Sequence, residues 1–227
     1  MAGIETSLLT FGGARKHIYG LMDNAQIQLA IFDLGNVFFD FTFDRAVRYW
    51  AKAAGVDESV VAERLVFGKD AEDYESGLIS SDEYFAGLKE KLGIPISTED
   101  LIAGWNSIFG SIIAPSYEAI THIRGKCRVV ALSNTDQSHD PVWRQKFSDK
   151  LRVFEKIYTS WSLNMMKPER RIFEHVLKAE GVAAGNAVFF DDVEENIRSA
   201  RAVGMEAVHV TSPSSVSDWL RQREDLL

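Results

Sequence analysis

The sequence holds a single cysteine, Cys127, so no disulfide can form within the chain and the fold must be held by its core. Cys127 opens an apolar run, where burial explains a thiol better than redox chemistry or catalysis, and the lack of disulfides fits a reducing, cytoplasmic setting. The histidines, His17, His122, His139, His175 and His209, include no i, i+4 pair, which removes a common zinc pattern and leaves them structural roles. No apolar run approaches the length of a membrane span, and the N-terminus lacks an uninterrupted signal core. Arg15 and Lys16 give Met1 to Ala25 a faint targeting character, but Glu5 and Asp23 argue for an extension over residues 1–26 instead. Positive charge is also scarce: 25 Lys and Arg face 33 Asp and Glu, and the net charge of -8 disfavours nucleic acid and anionic membranes as partners. A small phosphorylated metabolite can still bind such a chain in a locally positive pocket. Neither an internal repeat nor a low-complexity segment is present, and nothing in the sequence fixes the oligomeric state.

What is present suits an unaided globular fold, with 46% hydrophobic and 26% charged residues in a 227-residue chain. Four short apolar runs read as buried parallel strands: Leu29 to Phe32, Val129 to Leu132, Ala187 to Phe190 and Ala207 to Val210. Ile157 to Thr159 is a weaker fifth. Helical patterns alternate with them, including Ser116 to Ile123 after Pro115, a stretch carrying Ile172, Phe173, Val176 and Leu177 after Pro168, and Glu194 to Val203 before Gly204. This alternation predicts an α/β fold with a doubly wound, Rossmann-like parallel sheet. It breaks between Thr42 and Ala114, where the patterns read as helical throughout. Asp44 to Ala54 ends at Gly55, Ser80 with Glu83 forms a capping box, and Ser97 with Asp100 repeats that cue before Leu101 to Phe109. The expected layout is a core of residues 27–41 and 115–227 with a helical cap at 42–114, set over the carboxyl ends of the strands where such sheets bind ligands.

The expected strand ends carry reactive groups. Asp33 follows the first apolar run; Ser133, Asn134 and Thr135 follow the second and offer donors suited to phosphate oxygens. Asp191 and Asp192 close the third, and two adjacent carboxylates beside a buried strand invite a hard cation such as Mg²⁺. Lys167 precedes Pro168 at an expected helix start, from which an ammonium group can be aimed at the sheet end. Any one of these has a bland reading as a turn, cap or solvated residue. Together they supply a nucleophilic carboxylate, a hydroxyl donor, a cation and a metal ligand for a single phosphoryl-transfer site.

In that order, Asp33-Leu34-Gly35-Asn36-Val37, Leu132-Ser133-Asn134, Lys167-Pro168 and Phe190-Asp191-Asp192 resemble the four motifs of the haloacid dehalogenase-like hydrolases over Ile27 to about Thr211. The helical block resembles that superfamily's class 1 cap. The finer pattern is similar to the subgroup of bacterial α-D-glucose-1-phosphate phosphatases. The resemblance implies a Mg²⁺-dependent phosphatase: Asp33 as nucleophile and metal ligand, the Gly35 carbonyl and Asp192 as further ligands, and Asp191 in support. Ser133 and Asn134 would hold the phosphoryl group, Lys167 would neutralise it, and Asp73, Tyr74 and Glu75 of the cap would face the substrate. One departure stands out. Where most phosphatases of the superfamily carry a second aspartate as general acid and base, this chain has Gly35, so the expected substrate has a weakly basic leaving oxygen, as an anomeric sugar 1-phosphate does.

The order of the motifs argues against a two-component receiver, whose acidic pair precedes its acceptor aspartate. The absence of Gly-x-Gly-x-x-Gly argues against a dinucleotide-binding oxidoreductase, and the Asp191-Asp192 pair argues against the metal-free dehalogenases. A silent binding protein that kept the pocket and lost turnover is the remaining alternative, and Gly35 is its motive.

Overall fold

The computed structural model describes residues 26–223, so the extension expected at 1–26 lies outside it except for Gln26. The chain runs β1 (Leu29–Phe32), β2 (Phe39–Phe41), then helices α1 (Asp44–Ala54), α2 (Glu58–Arg64), α3 (Lys69–Glu75), α4 (Ser81–Leu92) and α5 (Thr98–Trp105). β3 (Phe109–Ile112), α6 (Ala114–Arg124), β4 (Arg128–Ser133), α7 (His139–Lys146), α8 (Ser148–Leu151) and β5 (Lys156–Thr159) follow. The chain continues through α9 (Ser160–Leu163), α10 (Arg170–Glu180), β6 (Ala187–Asp191), α11 (Glu194–Val203), β7 (Glu206–His209) and α12 (Ser215–Leu220).

Five strands form one parallel sheet in the order β5-β4-β1-β6-β7. β1 is apolar at every position, and β4 and β6 carry apolar runs that end in Ser133 and Asp191, because both faces of the sheet are covered. Leu29 and Ile31 pack with Ile172, Phe173, Val176 and Leu177 of α10 and with Ile197 of α11. Ala30 and Phe32 point the other way and join Ile120 and Ile123 of α6 and Trp219 of α12. Each large side chain buried in this way contributes about 1.5–3 kcal/mol relative to exposure. The order of strand addition reverses beside β1, with β4 and β5 laid down on one side and β6 and β7 on the other. That crevice beyond the strand ends is where α/β sheets place ligands. Among the described residues no helix is long and apolar enough to cross a membrane, and Cys127 is half-buried at the entry to β4.

The helical insert follows the sequence cues at its caps. The Ser80 hydroxyl accepts from the Glu83 N–H while the Glu83 carboxylate accepts from the Ser80 N–H at 2.8 Å, a closed capping box opening α4. The Ser97 hydroxyl accepts from the Asp100 N–H at 3.0 Å and opens α5. Two expectations need correction. The segment is not helical to its end: α5 stops at Trp105, a 3₁₀ turn covers Asn106–Ile108, and β3 pairs antiparallel with β2. Phe109 is drawn into this pairing by an edge-on contact with Phe39, ring centres 5.6 Å apart, and the Ser111 N–H donates to Asp40 at 2.5 Å. These non-local contacts outweigh the helical spacing of the local sequence. Likewise α10 starts at Arg170, so Lys167 and Pro168 belong to the preceding loop.

Helix α5 is fixed to α1 through Trp50, fully buried, whose indole N–H donates to the Leu101 carbonyl at 2.9 Å. Gly104 lies under that ring, and a Cβ there would sit 2.1 Å from Trp50 Nε1. Alanine at a helical glycine normally gains about 1 kcal/mol, but overpacking a rigid buried ring costs about 1–3 kcal/mol. Gly104→Ala is therefore expected to lower the urea midpoint of unfolding; an unchanged or raised midpoint would contradict this packing.

Candidate active site

The parallel register sets the site. Phe32 pairs with Phe190 of β6, so Asp33 and Asp191 emerge together at one edge of the sheet, while β4 runs two residues past Ala131, its partner to Phe32, and reaches that edge at Ser133. Asp33 remains tied to the ladder by its N–H, which donates to the Phe190 carbonyl at 2.8 Å, while its carboxylate projects past the sheet. Asp191 closes β6, Asp192 follows it, and Ser133 closes β4.

Lys167 reaches this edge from the loop before α10. Its ammonium donates to Asp33 Oδ1 at 2.8 Å and to Asp191 Oδ2 at 2.6 Å, and only 2% of the side chain is exposed, so these carboxylates replace water as its partners. The reach is fixed by Asn134. Its amide NH₂ donates to the Lys167 carbonyl and its oxygen accepts from the Lys167 N–H, both at 2.9 Å. With both ends of that side chain occupied, Asn134 has its main chain left for a ligand. Asp191 is also saturated: it accepts from Lys167, from the Val193 N–H at 2.8 Å and from Asn196 at 3.0 and 3.1 Å.

Burial raises the pKa of Asp33 above the ordinary carboxylate range; Lys167 opposes that, and Asp191 and Asp192 add to it. Lys167 keeps its proton although burial disfavours the charge, because Asp191 and then Asp33 hold its pKa well above the usual lysine value. Asp192 is raised by burial and then by Asp191, with Asn36 working the other way through a 3.3 Å hydrogen bond.

Carboxylate oxygens of Asp33, Asp191 and Asp192 all lie within 4.8 Å of one another. Three carboxylates against one ammonium leave two uncompensated negative charges in a low-dielectric corner, a deficit that one divalent cation cancels. All the donors are hard oxygens, the chemistry of Mg²⁺ rather than of zinc or copper. The residues therefore fit a magnesium ion.

A cavity of about 200 Å³ opens from these groups toward the helical insert. Its sheet end presents Asp33, Gly35, Ser133, Lys167 and Asp192, with Phe41 beside Gly35, and Phe43 and Glu75 line it from the insert. The Ser133 hydroxyl has only a long 3.4 Å contact with the Asn134 carbonyl, so it is available to a ligand. Of the three insert residues expected to face the substrate, the structure brings one to the cavity. Asp73 pairs with Lys69 on the surface, and Tyr74 is fully buried, stacked on Tyr84 at 4.4 Å; Glu75 lines the cavity.

Sequence reasoning missed Asn36, Asn196 and Phe41. Asn36 takes a left-handed backbone (φ 53°), which asparagine tolerates better than most residues, and its side chain steers Asp192. Asn196 sits in the first turn of α11, where nothing local distinguishes it from a solvated polar residue. Phe41 covers Gly35, and a Cβ at position 35 would lie 2.6 Å from its ring. His139 was assigned a structural role. It is buried, stacked on Trp105 with ring centres 4.8 Å apart, and it also lines the cavity.

Comparison with known proteins matches residues 27–204 to the haloacid dehalogenase-like hydrolases. The chain is 24% identical over 201 residues to a D-ribitol-5-phosphate phosphatase of Bacteroides thetaiotaomicron, covering 86% of this chain and 96% of that protein. It is 26% identical over 195 residues to a sesquiterpene phosphatase of Aspergillus oryzae, covering 85% and 94%. Among solved structures, a haloacid dehalogenase family enzyme from Bacteroides thetaiotaomicron, in complex with magnesium and inorganic phosphate, superposes with a TM-score of 0.69. That pair is 27% identical, over 81% of this chain and 93% of the other. None of these three is named as a glucose-1-phosphate phosphatase.

Removing one member of a buried ion pair strands its partners and costs about 3–5 kcal/mol. Lys167→Met, measured by urea unfolding in magnesium-free buffer, is expected to lose stability on that scale. A loss below about 1 kcal/mol would mean that Asp33 and Asp191 do not depend on the ammonium.

Proposed function

The chain belongs to the haloacid dehalogenase-like hydrolases, and on that premise we propose that it is a Mg²⁺-dependent phosphatase of a small sugar or polyol phosphate, working through an aspartyl-phosphate on Asp33. The observation that carries this reading is the convergence of Asp33, Lys167 and Asp192 at the sheet edge of a cavity with room for little more than a small metabolite. Its volume of about 200 Å³ is below the range of about 300 Å³ and upward typical of drug-sized ligands. The relatives named for phosphatase activity support the reaction class, and the ribitol-5-phosphate phosphatase supports the polyol branch of it.

In this reading Asp33 attacks phosphorus with the carboxylate oxygen that faces the cavity, while Lys167 holds the carboxylate ionised and offsets charge on the equatorial oxygens. The Ser133 hydroxyl and the main-chain N–H of Asn134 orient the phosphoryl group. Magnesium held by Asp33, the Gly35 carbonyl and Asp192 would supply the charge that lets one anion approach another. Asp191 fixes Lys167 rather than binding the metal, since both of its oxygens are already engaged. The helical block at 42–114 serves as the cap, excluding water and selecting the leaving group.

Phosphate release from a panel of sugar and polyol phosphates, anomeric 1-phosphates among them, tests this directly. Turnover is expected to need magnesium, and Asp33→Asn to retain less than about a tenth of it, because an amide is a poor nucleophile of nearly the same shape. Asp192→Ala is expected to raise the magnesium concentration at half-maximal rate. Titration curves that overlay those of the parent would remove Asp192 from the metal site, and full activity of Asp33→Asn would remove the covalent route.

A further inference from the structure

The Gly35 position cannot deliver a proton to the leaving oxygen, and the ring of Phe41 occupies the space a side chain there would enter. On the insert side of the same cavity stands Glu75, the last residue of α3. Its main chain is docked onto the sheet edge. Ser160 Oγ lies 2.6 Å from the Glu75 carbonyl and 2.9 Å from that of Thr135, and accepts from the Thr135 N–H at 3.0 Å. One residue on, Asn164 donates to the Ser76 carbonyl at 3.1 Å. Gly77 then turns with φ 67°, so close that a Cβ would stand 2.4 Å from the Trp161 carbonyl. The end of α3 is therefore held against the segment that follows β5, although Glu75 belongs to the insert.

The carboxyl group itself is uncommitted. Among the described residues no hydrogen bond or ion pair reaches it, whereas its helix neighbours Glu72 and Asp73 both pair with Lys69. A glutamate at the end of a surface helix is ordinarily solvated, but Glu75 is half-buried and lines both this cavity and an adjoining one of about 190 Å³.

We propose that Glu75 is the general acid for the leaving group and the general base for the hydrolytic water, taking the place of the aspartate absent at position 35. This rests on the phosphatase reading above. As Asp33 bonds to phosphorus, the bond from phosphorus to the leaving oxygen breaks, and that oxygen takes the proton of Glu75. Water then enters the vacated side. Its oxygen bonds to phosphorus, the bond to Asp33 breaks, and its proton passes to Glu75, which restores both groups. The electrostatics suit the role: burial pushes Glu75 up to about 7 and Asp136 adds to that, while His139 and Lys167 pull it down and Glu72 pushes weakly upward. A donor poised near neutral pH is the efficient choice for proton transfer. With such a donor, the restriction to weakly basic leaving groups expected from Gly35 is lifted.

The test is a leaving-group series from alkyl phosphates to p-nitrophenyl phosphate at saturating magnesium, with parent protein, Glu75→Gln and Glu75→Ala. For both variants, kcat/KM on alkyl phosphates is expected to fall about 100-fold or more, and much less on the aryl ester, which needs no proton. The acidic group near pH 7 is expected to vanish from the alkyl pH profile. Dephosphorylation also loses its base, so a burst of p-nitrophenol followed by slow turnover is expected in the variants. Equal losses across the series, or an unchanged dependence on the leaving group, would overturn the assignment of Glu75 and leave the phosphatase reading standing. A parent protein that hydrolyses none of the series would bring down both.

Discussion

One ammonium group, buried between two carboxylates at 2.8 and 2.6 Å, governs the arrangement of the sheet edge. An unpaired lysine in that position would lose several kcal/mol to desolvation, so the fold must bring Asp33 from β1 and Asp191 from β6 to the same point. The parallel register does this, and the two hydrogen bonds that Asn134, just past the end of β4, exchanges with the lysine's main chain fix its position. Three strands are thereby tied to one charge. Because Asp192 adds a third carboxylate, the corner remains negative after Lys167 is counted. The same electrostatic constraint that orders the strand ends makes the site receptive to a divalent cation and, through it, to a phosphoryl group.

The insert is coupled to that edge by a second buried polar group. Asp136, fully buried just beyond β4, accepts from the Trp105 indole of α5 at 3.1 Å and lies 2.8 Å from a ring nitrogen of His139. Burial would raise its pKa, yet His139 and the N–H groups at the start of α7 hold it below the ordinary aspartate value. Its folded-state pKa is depressed, so the stabilisation is present above the unfolded value near 3.8 and is lost as pH falls through the folded one. At neutral pH this contact and the Ser160 to Glu75 contact keep the insert over the sheet end. Core and insert thus both line the cavity between them.

The central sheet was readable in the sequence because strands buried on both faces leave continuous apolar runs, and because Asp33, Ser133 and Asp191-Asp192 mark where those runs end. Lys167 was readable only in their company; by itself it is an ordinary loop lysine. The β2–β3 pair was not, since Phe39 to Phe41 and Phe109 to Ile112 are too short and too far apart in the chain for a local pattern to reveal their pairing. Asn36, Asn196 and Phe41 left no such mark either. Asn36 acts through a left-handed backbone angle and through Asp192, far along the chain, while Asn196 and Phe41 act on Asp191 and Gly35, five and six residues away, by contacts that leave no periodic trace. Glu75 is one of three adjacent candidates, and only the tertiary structure separates it from Asp73, which pairs with Lys69, and from Tyr74, which is buried against Tyr84.

On the proposed route the phosphoryl group spends part of each turnover on Asp33. Turnover of p-nitrophenyl phosphate with magnesium, quenched in acid within the first cycles and followed by peptide mass spectrometry, tests it most directly. A phosphoryl adduct is expected on the peptide containing Asp33, labile to hydroxylamine as an acyl phosphate is. An adduct on another residue, or no adduct while phosphate release proceeds at full rate, would contradict it.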